Sequence, residues 1–384
     1  MLVCIPCLLT GGTEIQTLSL TEALVAAGHT VDVACYFEHA EVMVSNYERA
    51  GARVHLLSPD GGRPQGVVAC TRFLWRGLRG VVKAVRPDAV HVQYMAPGAL
   101  PILVLRALGV KCIVATAHTA ADIYSPGGLK QLRWLNRHVL RAFQCITLTA
   151  ERSFFGSGRL LDDDVPLSGH GNHFTIYNNI PSYISLCGDA GRVSDGRRKV
   201  TVGVVSRLEM IKGMDMVVPA MAKVFAEADA AGVECSLLVV GDGSQRELME
   251  RQSKAFGIES RVAFAGRKPQ GELQGYYDKI DVLLMPSRSE GFGLTAVEGM
   301  ARGCVPVVAN VGGLPEVVRD GVDGLLHDRE NVESLAEKVS RVVGNRELMM
   351  QLSRGARKRA EAFGRDAYRE QIARMYDKIS SCSN

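Results

Sequence analysis

Two glutamates in the second half of the sequence have the types and spacing to bind a polar substrate. Glu290 lies in a glycine-flanked segment, and Glu298 follows it after seven intervening residues, inside a predicted helix. Carboxylates accept hydrogen bonds from sugar hydroxyls, whereas the free N–H groups at the start of a helix attract an anion. This combination favours a sugar linked to a phosphate. The alternative is that both glutamates are ordinary surface charges.

Two cations precede these glutamates in a single loop. Arg207 ends a predicted strand, and Lys212 begins the helix that follows. A pair of cations placed in this way can bind a diphosphate through charge-assisted hydrogen bonds. The alternative is two solvated surface charges.

Two glycine loops could contact the same kind of ligand. Gly11 and Gly12 lie between the first predicted strand and its helix, and Gly241 and Gly243 flank Asp242 after a later strand. Glycine lets the backbone approach a phosphate, but the first loop does not have the spacing of a dinucleotide fingerprint or a P-loop. A tight turn accounts for the first loop equally well, and Asp242 could instead cap the helix after it.

The elements that position these residues follow a regular alternation. Short apolar runs rich in β-branched residues alternate with amphipathic segments, which predicts βαβ units and parallel sheets. The predicted strands are Leu2–Leu8, Thr30–Tyr36, Arg53–Leu56, Ala89–Val92, Lys111–Ala115, Cys145–Leu148, Lys199–Ser206, Glu234–Val240, Val262–Ala265, Val282–Pro286 and Val305–Ala309.

The alternation breaks between residues 153 and 198, which are rich in glycine and proline and read as irregular structure and a linker. We therefore predict two doubly wound α/β domains, residues 1–180 and 199–364, joined by a hinge at 181–198. Two such sheets facing each other form a cleft at the carboxyl ends of their strands, where α/β folds bind ligands.

The composition excludes several classes of protein. Of the 384 residues, 47% are hydrophobic and 22% are charged, which is typical of a globular chain and not of a disordered one. The net charge of +4 is too small to indicate nucleic-acid binding by itself. No apolar run is long enough for a membrane span, and the first residues lack the basic region of a signal peptide. The ten cysteines lie mostly in apolar runs, which indicates core thiols in a reducing cytosol.

Taken in order, the motifs resemble one enzyme family. They comprise Gly-Gly-Thr-Glu at 11–14, Ser-Arg at 206–207 with Lys-Gly at 212–213, Gly-Asp-Gly at 241–243, the paired glutamates, and Gly-Gly-Leu-Pro-Glu at 312–316. This set resembles the retaining, nucleotide-sugar-dependent glycosyltransferases that include bacterial lipopolysaccharide and phosphatidylinositol mannosyl transferases and sucrose synthase. The similarity covers nearly the whole chain and is most specific over residues 200–330.

The resemblance implies a GT-B fold, in which two Rossmann-like domains face a cleft. The N-terminal domain would bind the acceptor, the C-terminal domain the donor, and a final helix at about 365–384 would cross back onto the N-terminal domain. The implied reaction moves a hexose-type sugar, with retention, from a nucleoside diphosphate sugar to a glycan or lipid-linked acceptor, as in polysaccharide or lipopolysaccharide biosynthesis. Uridine diphosphate is the default nucleotide, and neither a cofactor nor a metal ion is required.

The resemblance also assigns residue roles. Arg207 and Lys212 would bind the donor diphosphate, Glu290 and His118 the donor sugar, and Glu298 the ribose hydroxyls. We group His118, Arg207, Lys212 and Glu290 as catalytic. The implied donor-binding residues are Gly11, Gly12, Gly241, Gly243, Arg267, Gly291, Phe292, Gly293, Leu294, Thr295 and Glu298. One departure is Asn178-Asn179, where the family usually has Asn-Gly.

Three other functions remain open on the residues alone. A glycosidase would use Glu290 and Glu298 as general acid and nucleophile, but the nearby cations favour a phosphate. A phosphorylase fits the same architecture. An inactive nucleotide-sugar-binding protein would keep the fold, although the complete set of predicted site residues argues against it.

Residues 72–86 form a basic, amphipathic stretch with two internal glycines. Such a helix can lie on anionic lipid, but glycine weakens a free helix, so an ordinary packed helix is favoured. We predict a cytoplasmic protein, with peripheral contact at the inner face of the membrane as the alternative.

Overall fold

The computed structural model describes residues 1–164, 167–188 and 199–381. Residues 189–198 of the predicted hinge lie outside the described part. The chain divides into two compact units, one formed by Met1–Asn179 with Arg365–Asn384 and the other by Ile180–Gly364.

The first unit is built on a parallel sheet of seven strands in the order β3-β2-β1-β4-β5-β6-β7. The strands are β1 Leu2–Ile5, β2 Asp32–Cys35, β3 Arg53–Leu56, β4 Val90–Tyr94, β5 Ile113–Ala117, β6 Ala142–Cys145 and β7 Asn172–Thr175. The strand order reverses beside β1, which is the doubly wound, Rossmann-like arrangement.

Within the described residues, seven α-helices cover the two faces of this sheet. They are α1 Gly12–Ala26, α2 Glu41–Arg49, α3 Val67–Val85, α4 Leu100–Ala107, α5 Pro126–His138, α6 Leu148–Phe155 and α14 Arg365–Ser381. Apolar residues of α1, α2 and α14 form one core cluster with the sheet, and those of α3, α4, α5 and α6 form another. The two clusters therefore lie on opposite faces.

The second unit has a parallel sheet of six strands in the order β10-β9-β8-β11-β12-β13. Its strands are β8 Lys199–Val205, β9 Glu234–Val240, β10 Val262–Gly266, β11 Val282–Met285, β12 Val305–Ala309 and β13 Leu325–His327. Its helices are α7 Met214–Ala230, α8 Arg246–Ala255, α9 Gln270–Tyr277, α10 Leu294–Ala301, α11 Leu314–Val317, α12 Val332–Val343 and α13 Arg346–Glu361. The fold class predicted from the sequence, two Rossmann-like parallel-sheet domains, is confirmed.

The structure corrects the prediction at the end of the first unit. The predicted strand Cys145–Leu148 is wrong, because the strand ends at Cys145 and the Thr147 side chain caps α6 by accepting a hydrogen bond from the Ala150 N–H. The stretch predicted to be irregular contains β7. The buried Glu151 carboxylate holds this strand, accepting hydrogen bonds from Thr175 Oγ1 at 2.8 Å and from the His173 ring at 2.6 Å.

A buried chain of polar side chains joins α14 to the sheet of the first unit. The Tyr376 hydroxyl oxygen on α14 lies 2.7 Å from His91 Nδ1, and His91 Nε2 lies 2.6 Å from Thr116 Oγ1. The Thr116 hydroxyl donates in turn to Gln144 Oε1 at 3.3 Å. Burial lowers the pKa of His91 to about 3. The neutral ring therefore accepts from the Tyr376 hydroxyl at Nδ1 and donates to Thr116 from Nε2.

Replacing Tyr376 by phenylalanine is expected to destabilise the first unit by about 1–3 kcal/mol, because the buried His91 Nδ1 loses its donor. Urea unfolding followed by circular dichroism measures this change. Tyr368→Phe is the matched control, since Tyr368 is buried on the same helix and its hydroxyl makes no hydrogen bond within the described ranges. Equal losses of stability in the two variants would contradict the predicted role of Tyr376.

Among the residues that the structure describes, no helix combines the length and the apolar character that crossing a bilayer requires.

Candidate functional site

Lys212 and Glu290 come together at the carboxyl ends of two adjacent strands. Lys212 belongs to a short 3-10 turn after β8, and Glu290 lies in the loop after β11, which pairs with β8. Lys212 Nζ lies 2.7 Å from Glu290 Oε2, and the side chains are only 21% and 15% exposed. A partly buried ion pair is therefore held at the edge of the sheet where parallel α/β sheets bind ligands.

The loop after β12 supports the backbone at Glu290. The Gly313 N–H donates to the Glu290 carbonyl at 3.1 Å. Gly312 has a φ of +53°, and a Cβ atom placed there would lie 2.0 Å from the same carbonyl oxygen. Only glycine allows this approach, so the position of Glu290 depends on the absence of a side chain at Gly312.

Arg288 connects the two loops, and sequence reasoning missed it. Its guanidinium bonds both carboxylate oxygens of Asp215 at 2.7 and 2.9 Å, the Met210 carbonyl at 2.5 Å and the Glu330 carboxylate at 2.7 Å. The backbone N–H of Arg288 also donates to the Ile211 carbonyl at 2.9 Å. These bonds lower the pKa of Asp215, which stays ionised at neutral pH. Arg288 thus fixes the segment before Lys212 against the segment before Glu290.

Replacing Arg288 by alanine is expected to lower kcat/KM about 10- to 100-fold, because small displacements of reacting groups have effects of this size. Arg288→Lys should rescue little, since a lysine cannot reproduce the forked contacts. The matched control is Arg261→Ala in the same unit, which breaks a similar set of bonds to Asp229 and the Cys235 carbonyl. Steady-state kinetics measures both variants, and an equal loss in the control would assign the effect to general destabilisation.

Arg207 is not part of this ion pair. It is exposed, and among the described residues it makes no ion pair with Glu290. Its charge acts on Glu209, whose pKa is lowered mainly by hydrogen bonds from Ser244. The Ser244 hydroxyl donates to Glu209 Oε2 at 2.6 Å. Of the two predicted cations, only Lys212 forms an ion pair with Glu290 in the part of the chain that the structure describes.

Glu298 is a buried group and not a surface charge, so the surface alternative is wrong for this residue. It is 4% exposed on α10. Tyr183 donates to its Oε1 at 2.6 Å and Tyr277 to its Oε2 at 2.5 Å. Burial raises the pKa of Glu298, and the two phenol donors partly offset this rise. Sequence reasoning missed both tyrosines.

The residues around the start of α10 have different environments. The Phe292 ring is buried in an edge-to-face contact with Phe363, with centroids 5.6 Å apart, so its side chain serves the core. Gly291, Leu294 and Thr295 are partly exposed, whereas Gly293 is buried in a left-handed conformation before the helix. The first N–H groups of a helix lack intrahelical acceptors, and the binding of an anion by those at the start of α10 stays a prediction.

Close backbone contacts account for the two glycines in the loop after β9. A Cβ at Gly241 would lie 1.8 Å from the Ser206 carbonyl, and one at Gly243 would lie 2.5 Å from the Leu208 carbonyl. The proposed cap is wrong, because α8 begins after Gln245 without a side-chain cap and Asp242 Oδ1 accepts from the Gly243 N–H. Arg267 follows β10 and is exposed. The roles of these residues in binding a donor stay predictions.

In the first unit, Gly11 and Gly12 lie at the start of α1, as predicted. The Glu14 carboxylate folds back against Gly11, where a Cβ would lie 2.5 Å from Glu14 Oε2. Glu14 is 7% exposed and accepts a hydrogen bond from the Cys7 thiol at 3.2 Å. A buried carboxylate beside Gly11 therefore limits the room for an anion on that side.

His118 follows β5 and contacts Gln93 on β4. Its Nε2 lies 2.6 Å from Gln93 Oε1, and burial lowers the pKa of His118 to about 4. The ring is therefore neutral at neutral pH, and Nε2 carries the proton that the Gln93 oxygen accepts. This leaves Nδ1 as a hydrogen-bond acceptor. The polar Gln93 within a buried strand was the sequence signal for this contact.

No group of three or more His, Cys, Asp or Glu side chains that could hold a metal ion occurs within residues 1–164, 167–188 and 199–381.

Comparison with known proteins relates both units to sugar-transferring enzymes. Residues 194–359 match the family model described as "Glycosyl transferases group 1", and residues 11–153 match that described as "Glycosyl transferase 4-like domain". An uncharacterized glycosyltransferase of Methanocaldococcus jannaschii is 30% identical over 169 residues, which is 44% of this chain and 45% of that protein. The chain thus spans less than half the length of this relative.

A D-inositol 3-phosphate glycosyltransferase of Frankia alni is 27% identical over 95% of this chain and 94% of its own. The fold is also that of Anabaena HepE in complex with UDP and glucose, with a TM-score of 0.76, 18% identity and 98% of each chain covered. At this low identity, the structural similarity establishes the fold alone.

Proposed function

Because this chain belongs to the glycosyltransferases with the GT-B fold, we propose that it moves a hexose from a nucleoside diphosphate sugar to an acceptor hydroxyl. The observation that carries the proposal is the ion pair between Lys212 and Glu290 at 2.7 Å, which places a cation and a sugar-binding carboxylate side by side. The Arg288 contacts and the glycine at 312 hold this pair in place.

Negative charge grows on the leaving diphosphate as its bond to the sugar breaks. Lys212, Arg207 and the N-terminus of α10 stabilise this charge more in the transition state than in the ground state, which is the condition for catalysis. Arg207 is exposed, so its guanidinium is accessible to the phosphate groups of a donor.

Glu290 has two roles in this scheme. Its carboxylate orients the Lys212 ammonium before the donor binds, and its remaining lone pairs accept hydrogen bonds from sugar hydroxyls. Neutral His118 accepts a hydrogen bond from a further sugar hydroxyl at Nδ1, with its tautomer set by Gln93. Glu298 is the proposed ligand of the ribose hydroxyls, which then share its carboxylate with Tyr183 or Tyr277 or replace one of them.

The proposed reaction retains the anomeric configuration and requires no metal ion. The acceptor attacks from the face that the diphosphate leaves, and the departing phosphate takes the acceptor proton. The choice of a uridine nucleotide is supported by the structure of the Anabaena protein, which is a complex with UDP and glucose. The acceptor is a glycan or a lipid-linked molecule, and inositol phosphate is the second candidate because the Frankia relative is named for it.

The test is incubation of the purified chain with UDP-glucose, UDP-N-acetylglucosamine and GDP-mannose, with and without each candidate acceptor. Release of nucleoside diphosphate that depends on acceptor and is lost in Glu290→Ala supports transfer. Proton NMR of the product reads the anomeric configuration, and a parallel assay with a chelator tests the metal requirement.

Other results would support the alternative functions. Donor binding without release, unchanged by Glu290→Ala, would indicate an inactive binding protein. Consumption of inorganic phosphate with formation of a sugar 1-phosphate would indicate a phosphorylase. Thermal shift identifies the bound donor, since a ligand at 100 times its Kd stabilises a protein by about 2.7 kcal/mol.

A further inference from the structure

Helix α3 has an apolar side and a basic side. Cys70, Leu74, Leu78 and Val81 are buried in the core cluster of the first unit, so the packed-helix interpretation of residues 72–86 is confirmed. The opposite side is exposed, and there Trp75 is 38% exposed among arginines. Packing against the sheet therefore leaves the basic face of α3 free for another partner.

Helix α5 repeats this arrangement, which sequence reasoning did not single out. Its Leu132 and Leu135 are buried in the same core cluster, whereas Trp134 is 53% exposed. Lys130 and Arg137 lie one turn before and after this tryptophan and are also exposed. The chain has two tryptophans, and both lie exposed among cations.

The two basic faces lie on the same surface. Helices α3, α4 and α5 pack onto one core cluster, so they cover one face of the sheet and their exposed sides point away from it. Their sequences contain no Asp or Glu. Their eight exposed cations, none of which forms an ion pair with another described residue, are Arg72, Arg76, Arg79, Lys83, Arg106, Lys130, Arg133 and Arg137. We call this surface the basic helical face.

We propose that the basic helical face binds the surface of an anionic lipid bilayer. Arginine and lysine beside an anionic leaflet are attracted to it, and tryptophan favours the interface between water and lipid. Exposed apolar side chains begin the same helix as four of the cations, with Val67 at 68% and Val68 at 73% exposure in the first turn of α3. A nucleic-acid backbone would use the cations but not this apolar area, so the bilayer is the better match.

This inference does not rest on the proposed transfer reaction, so the two can fail separately. If both hold, the basic helical face keeps the enzyme beside a lipid-linked acceptor. Glycosyl transfer to a soluble acceptor would then proceed without vesicles.

Sedimentation of the full chain with lipid vesicles is the first test. We expect binding to phosphatidylcholine vesicles that contain phosphatidylglycerol, little binding to pure phosphatidylcholine, and loss of binding at high salt. A triple variant of α3, Arg72→Gln with Arg76→Gln and Arg79→Gln, should bind about 100-fold more weakly, since each cation is worth roughly fivefold. Absence of binding to anionic vesicles would overturn the proposal.

A control variant separates the basic helical face from overall charge. Arg346→Gln with Arg354→Gln and Lys358→Gln removes three exposed charges from α13 of the other unit. This variant should bind vesicles like the original chain. An equal loss of vesicle binding in both triple variants would overturn the assignment of the binding surface to α3 and α5. Binding of RNA to this face at a lower concentration than anionic lipid would also overturn the proposal. Circular dichroism melting shows whether each variant is folded.

Tryptophan fluorescence tests the two helices one at a time. In Trp134→Phe the remaining tryptophan is Trp75, and in Trp75→Phe it is Trp134. Each single-tryptophan variant should show a blue shift of its emission with anionic vesicles and no shift with phosphatidylcholine. A shift at Trp75 alone would restrict the membrane contact to α3 and overturn the two-helix surface.

Discussion

Replacing Lys212 by alanine is expected to lower kcat by roughly 100- to 1,000-fold, the usual effect of removing one preorganised donor from a developing anion. The ammonium lies 2.7 Å from Glu290, so the variant also leaves a partly buried carboxylate without its cation. Donor KM should change less than kcat, because this contact strengthens as charge moves onto the diphosphate. Steady-state release of nucleoside diphosphate measures the change.

Lys199→Ala is the matched control for this prediction. Lys199 pairs with Glu234 at 2.8 Å, but both side chains are more than half exposed. Such surface pairs contribute little to stability, so the kinetics of Lys199→Ala should equal those of the original chain. If Lys212→Ala retained full kcat, the leaving group would not be stabilised by this cation and the proposed mechanism would fail.

Replacing Gly312 by alanine is expected to lower kcat/KM at least 100-fold without a catalytic side chain being altered. The added Cβ would lie 2.0 Å from the Glu290 carbonyl, so one of the two loops must move by more than an ångström. Displacements of that size at reacting groups lower the reaction rate about 100-fold.

Gly321→Ala separates this effect from backbone strain. Gly321 also has a positive φ, of +71°, but a Cβ there has no neighbour within 4 Å. Both variants carry the strain of an alanine at positive φ, which is of order 1–3 kcal/mol. Activity measured at a temperature where both are folded should fall much further in Gly312→Ala. Similar activities would mean that the loop adjusts and that Glu290 does not depend on it.

Local sequence patterns were sufficient to predict most of the second unit. The predicted strands Glu234–Val240 and Val305–Ala309 match the structure, because buried parallel strands are continuous apolar runs that end where glycine or polar residues begin. The loop positions of Lys212 and Glu290 follow from the same pattern. Adjacent strands in a doubly wound sheet then bring the two loops together.

Contacts between distant residues could not be predicted in this way. Arg288 binds Asp215, which is 73 residues away, and Glu298 binds Tyr183, which is 115 residues away. A single sequence shows only that an arginine or a tyrosine is present, whereas its partner is set by the packing of whole elements. The short strand β7 was missed for the same reason, since its order depends on pairing with β6 and on the Glu151 carboxylate.

The placement of α14 in the first unit affects how the chain folds during synthesis. Its Tyr368, Ile372 and Met375 are buried in the same cluster as residues of β1. The ribosome makes β1 first and α14 more than 350 residues later. The apolar surface of the first unit that α14 covers therefore stays exposed while the whole second unit is translated. The unit whose synthesis starts first is completed last.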